Sequence, residues 1–220
     1  AGAVPLATAV ANGTAPAQTV TDHSFTPDVL GYGTTYYWRV DEVNAVTYPG
    51  EVWSFTTEAY GVVEDFESYT DDEGNRIYET WADGFGSTNN GSQVGYAQAP
   101  FAETKIFHGD KQSMPLNYYN ENSPYYAQAD RTWDTTQDWT INNIDTLVLY
   151  VHGVPLNSAE PLYVAVEDSN GNIGTVVQPD SKVITTDDWT KWEVPLSGFT
   201  SAGVNVSRVK KLHIGVGNKT

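Results

Sequence analysis

The sequence has no cysteine and one methionine. Disulfides, thiolate nucleophiles and thiolate metal ligands are therefore excluded. Long apolar runs are missing too. Nowhere do about 18 apolar residues follow one another, so no segment reads as a membrane-spanning helix. Basic residues are scarce: 11 Lys and Arg stand against 28 Asp and Glu in 220 residues, a formal net charge of −17. A phosphate backbone needs a basic face to replace its counterions, so this charge argues against nucleic acid as a partner. It is equally unsuited to anionic membrane surfaces. Helical periodicity is also rare, since apolar residues seldom fall at i, i+3, i+4 and i+7.

What remains is the composition of a β-protein. Hydrophobic residues make up 40 %, enough for a core, and aromatic residues 13 %. Gly, Pro, Thr, Val and Tyr in abundance favour short strands and frequent turns. Alternating apolar residues predict strands at Gln18–Phe25, Thr34–Asn44, Glu51–Thr57, Val62–Tyr69, Glu103–His108 and Gln112–Tyr119. Further strands are predicted at Ala127–Trp133, Thr146–His152, Leu162–Asp168, Gly174–Gln178, Thr190–Pro195 and Val209–Val216. Asn170-Gly171 marks a hairpin, because both residue types tolerate positive φ. The expectation is an all-β chain built from sandwiches. Composition shifts near Thr57–Gly61, which predicts domains at 1–58 and 59–220. The start at Ala1, without a signal-peptide pattern, suits a processed protein or a piece of a longer one.

Leu30-Gly-Tyr-Gly-Thr-Thr-Tyr-Tyr-Trp-Arg-Val resembles the late strands of a fibronectin type III domain, through Leu30, Gly33, Thr34, Tyr36, Trp38 and Val40. Val52-Trp-Ser-Phe-Thr-Thr is similar to the last strand of that fold. The resemblance implies an Ig-like sandwich in which the Tyr36 hydroxyl bonds back to the backbone. Only its late strands are accounted for. Three or four strands leave Trp38, Trp53 and Phe55 half covered unless something else covers them: the second part of the chain, upstream sequence or a neighbouring copy.

The second part resembles jelly-roll carbohydrate-binding modules in Phe66-Glu67, Trp81-Ala-Asp-Gly84 and Gly109-Asp-Lys-Gln-Ser-Met-Pro-Leu116. It implies a β-jelly roll that stops before the family's last strand, at Gly215-Val-Gly-Asn-Lys-Thr220. The combination looks like large secreted modular proteins of environmental bacteria, planctomycetes among them. That implies an extracellular or cell-surface location.

The same family carries a structural calcium near such an opening strand. Here Asp65 and Glu67 would share one strand face, with Asp110 close by, as oxygen ligands suited to Ca2+. A solvated acidic strand face is the alternative, and Asp71-Asp-Glu-Gly-Asn75 reads as a plain acidic turn. Trp81, Tyr119, Tyr125 and Tyr126 fall in or beside predicted loops, where flat rings stack on sugars. Asn117, Asn120, Glu121 and Asn122 are the nearby hydrogen-bonding groups. The alternative is that these rings cap the sandwich ends. Trp133, Trp139, Trp189 and Trp192 read as core or rim.

His23, His108, His152 and His213 are far apart in sequence, and no HExxH pair or Gly-x-Ser-x-Gly elbow occurs. Glu79, Asp83 and Glu103 show no pattern that marks a glycosidase pair. The expectation is a non-catalytic extracellular module that binds a polysaccharide or glycan, mediates adhesion and is stabilised by calcium. The other class left open is a structural subunit of an extracellular filament or surface layer, assembled from neighbouring copies by strand complementation.

Overall fold

The computed structural model describes residues 6–87 and 89–218. It is all-β, with strands in antiparallel sheets and only short helices. The chain divides into two compact units, the first ending at Val63 and the second beginning at Glu64.

The first unit holds a helical turn, α1 (Leu6–Ala11), and four short strands: β1 (Thr35–Trp38), β2 (Glu42–Val43), β3 (Thr47–Tyr48) and β4 (Trp53–Thr56). β1 pairs with β4 and β2 with β3. In the first pair Tyr36 lies opposite Phe55 and Trp38 opposite Trp53, and each pair of rings is 5.7 Å apart. Gly31 N–H donates to the Tyr36 hydroxyl at 2.8 Å, the backbone bond that the resemblance implies. The Thr57 hydroxyl ties the ends together, donating to Gly31 O at 2.6 Å and accepting from Thr34 N–H. No third strand joins this pair among the described residues, and Trp38, Trp53 and Phe55 are 44, 59 and 45 % exposed. Residues 18–25 form no strand. Alternation alone does not make one where no partner strand lies alongside.

The second unit begins with α2 (Ile77–Thr80), β5 (Trp81–Ala82), β6 (Ser92–Val94), β7 (Leu116–Tyr118) and β8 (Tyr126–Gln137). It continues through β9 (Thr146–His152), β10 (Leu162–Asp168), β11 (Ile173–Val177), β12 (Trp189–Pro195), α3 (Ser197–Thr200) and β13 (Val209–Gly217). Its main sheet runs β11-β10-β13-β8-β5, while β9 pairs with β12 and β6 with β7. Register places Val164, Val166, Leu212, Val216, Ala127, Ala129 and Trp81 on one face of the main sheet, all buried. On the β9–β12 ribbon the buried face carries Leu147, Trp192 and Val194. Alternation thus gives each layer one apolar face, as a sandwich requires.

The other face of the main sheet carries a polar row. The Tyr163 hydroxyl donates to Gln128 Oε1 at 2.9 Å, and Gln128 Nε2 donates to Asp130 Oδ1 at 2.6 Å. His213 Nδ1 lies 2.8 Å from the same oxygen, and its Nε2 lies 3.6 Å from Glu167 Oε2. Gly215 sits under the Tyr163 ring, where a Cβ would come within 2.2 Å of its Cζ.

Two predicted strands dissolve for a common reason. Over 62–69 the carboxylates take backbone amides: Phe66 N–H donates to Glu64 and Glu67 N–H to Asp65, both at 2.9 Å, while Phe66 turns to φ +64°. Over 103–108, Glu103 Oε1 accepts from Lys105 and Ile106 N–H, which leaves a single bridge between Glu103 and Ser113. Such local bonds compete with a strand ladder. The predicted strand 112–119 shortens to β7. In the β10–β11 turn only Gly171 takes positive φ, at +83°.

Candidate functional site

A groove of about 310 Å³ lies between residues 84–87 and 90–91 and the β6–β7 ribbon, lined by Phe85, Ser87, Asn90, Gln93, Asn117 and Tyr119 among others. Each wall has a local cause. Gly84 N–H donates to the Ser92 hydroxyl (2.8 Å), which donates to Gln128 O (2.7 Å) and so anchors the loop to β8. Asn90 Oδ1 accepts from Ser92 N–H and Gln128 N–H, closing the loop at its other end. Gly91 N–H donates to Tyr126 O, and Gly91 O accepts from Tyr119 N–H. No larger residue fits there, since a Cβ on Gly91 would lie 1.9 Å from Tyr119 O.

Ring and amide groups then converge. Phe85 is 72 % exposed and Tyr119 57 %. Gln93 and Asn117 are direct partners across β6 and β7, so both amides stand on one side of the ribbon. The Tyr119 hydroxyl donates to Glu121 Oε2 at 3.0 Å and accepts from Asn122 Nδ2 at 3.4 Å. The bond to Glu121 pushes this phenol's pKa above its ordinary value. Two open rings flanked by amides suit a flat ligand rich in hydroxyls, and the volume is at the small end of ligand sites.

Of the four sequence-predicted sugar contacts, Tyr119 lines the groove. Tyr119 and Tyr126 are joined through Gly91, and Tyr125, well exposed with φ +63°, lies in the loop between β7 and β8. Trp81 is a correction. It lies in β5, fully buried, opposite Arg131 and 5.6 Å from the Phe66 ring, so it offers no face to a ligand. Asn120 is also turned inward, donating to Val216 O at 3.0 Å. Phe85 escaped the sequence reading. Its signal was a lone phenylalanine in Asp-Gly-Phe-Gly-Ser, where small neighbours cannot bury it.

Asp65, Glu67 and Asp110 do approach one another, but through amides. Glu67 Oε1 accepts from Asp110 N–H at 2.9 Å and Glu67 Oε2 from Lys111 N–H at 3.1 Å. These two amides take part of the carboxylate's acceptor capacity. Among the described residues no three metal-ligating side chains converge. Hydrogen bonds make the join here that the resemblance assigns to an ion. The 71–75 turn is tied up internally as well: Asp71 accepts from Phe101 N–H, and Glu79 from Gly74 and Arg76 N–H.

Other carboxylates are engaged in the same way. Asp83 caps Phe85 and Val94 N–H. Glu103 accepts from the Tyr96 hydroxyl, whose pKa is pushed up to about 12, chiefly by burial. The histidines are not all solitary, because His108 and His152 both meet Trp189. Among the described residues no helix is long and apolar enough to cross a membrane. No family model matches the chain, and no curated protein matches it.

Proposed function

We propose that the chain is a non-catalytic, extracellular carbohydrate-binding module, in which the groove between Phe85 and Tyr119 takes a sugar ring and mediates adhesion to a glycan. The observation that carries this reading is the pairing of two exposed rings with the Gln93 and Asn117 amides in one concavity. The resemblance of the second unit to jelly-roll modules points the same way. The carboxylates Glu79, Asp83 and Glu103 serve backbone amides, which favours binding over hydrolysis. The test is affinity electrophoresis through gels containing plant and algal glycans. Wild type is retarded on at least one glycan, and Phe85→Ala or Tyr119→Ala weakens retention about tenfold, or about 1.4 kcal/mol. Equal retention by wild type and both variants, or none on any glycan, rejects the groove.

A second reading is favoured by the open β1–β4 pair. Its exposed Trp38, Trp53 and Phe55, together with its free strand edges, suit addition of a strand from another copy, as in a filament or surface-layer subunit.

A further inference from the structure

Four rings meet on the solvent side of the β9–β12 ribbon, on the strand faces opposite Leu147, Trp192 and Val194. Tyr150 and His152 point outward from β9, and across the ribbon they face Lys191 and Trp189. His108 comes from the loop after Glu103 and lies flat on Tyr150, with centroids 3.6 Å and planes 18° apart. The Trp189 ring is steeply inclined to both imidazoles, 5.7 Å from His108 and 5.4 Å from His152. Stacking does not close the surface. Tyr150 is still 43 % exposed, and Val148, Ile106 and Phe107 are open as well.

Two of the polar side chains beside the rings have carboxylate neighbours. Lys191 Nζ is 2.6 Å from Glu193 Oε1, and His152 Nε2 is 3.8 Å from Asp187 Oδ1. One exposed cation, Lys105, lies in the loop that carries His108, but the chain as a whole has a net charge of −17. A polyanion would be repelled by the molecule as a whole. A neutral polyhydroxylated chain meets no such cost.

We propose that this face is a second glycan-contact surface that takes a neutral polysaccharide chain. The outer π face of His108 and the exposed parts of Tyr150 and Trp189 attract the C–H faces of pyranose rings. Asp187, Lys191, Glu193 and the Tyr150 hydroxyl supply donors and acceptors for ring hydroxyls. The inference rests on the carbohydrate reading above, but it uses none of the groove's residues.

The experiment uses the full chain, with xyloglucan, mixed-linkage β-glucan, galactomannan and laminarin as gel probes. Calorimetry follows with an oligosaccharide of the best probe. Two sites per chain are expected. His108→Ala and Tyr150→Ala each weaken retention at least fivefold, Tyr119→Ala leaves partial retention, and Tyr119→Ala with Tyr150→Ala abolishes it. Thermal melts identify any variant that does not fold. His108→Ala, outside every strand, carries the test if Tyr150→Ala fails. One site per chain, lost in Tyr119→Ala and unmoved by His108→Ala, overturns this inference and leaves the groove. Retention lost in His108→Ala and unmoved in Tyr119→Ala supports it and rejects the groove. No retention on any of the four probes overturns it.

Discussion

Asp168 is a buried carboxylate with several donors. Its Oδ1 accepts from Asn170 and Asn172 N–H, and its Oδ2 from Asn205 N–H and Asn172 Nδ2. These bonds, with Asn205 the largest contributor, hold its pKa at about 2. An unfolded aspartate titrates near 4, so the charged form is stabilised by folding. That stabilisation is complete above about pH 4 and is lost as pH falls toward 2. The melting midpoints of wild type and Asp168→Asn should differ by a constant gap above pH 4, and the gap should narrow by pH 2. A gap that stays constant to pH 2 contradicts this account. Glu67 makes a different prediction. Because two backbone amides already bond its carboxylate, melts in millimolar calcium and in chelator should share one midpoint. A rise of several degrees with calcium would restore the metal expectation for the acidic opening.

β6 and β7 are short, and the groove depends on how closely their ends approach the neighbouring chain. Gly91→Ala forces a Cβ against Tyr119 O, at a cost of about 1–3 kcal/mol. Urea denaturation should show that loss, and glycan retention should fall with it, because Tyr119 is displaced. Unchanged stability would mean that the loop has room to yield. The long strands were the legible ones. Thr146–His152 and Leu162–Asp168 were read to the residue from Val, Leu and Tyr alternating between turn signals. Elements that failed, at 62–69 and 103–108, carry Glu or Asp beside the amides that those carboxylates capture. Alternation cannot register that competition, since it depends on where a side chain bends back.

The two units differ in how well they bury their rings. The second encloses Trp81, Phe199 and Ile77 fully, whereas the first leaves Trp38, Trp53 and Phe55 open on one face of β1–β4. Each large aromatic carries about 150–250 Å² of surface, worth several kcal/mol for the three at about 25 cal/mol per Å². A second copy that covers this face should therefore lower the free energy. Light scattering after gel filtration should show association that grows with concentration and falls in Trp38→Ser and Trp53→Ser. A strict monomer at high concentration, with residues 30–57 slow in hydrogen exchange, would reject assembly through this surface.

Composition and alternation by themselves determined the all-β class, the exclusion of thiol chemistry, and four of the main sheet's five strands, β8, β10, β11 and β13. Each follows from residue type and period, which act locally. The groove, the ring cluster around Trp189 and the burial of Trp81 were decided by contacts between distant segments. Phe85 and Tyr119 line one groove beside a loop pinned to β8, and His108 reaches Tyr150 from another loop. Trp81 is core because Arg131 lies opposite it in β8, a pairing that no local pattern around Trp81 records.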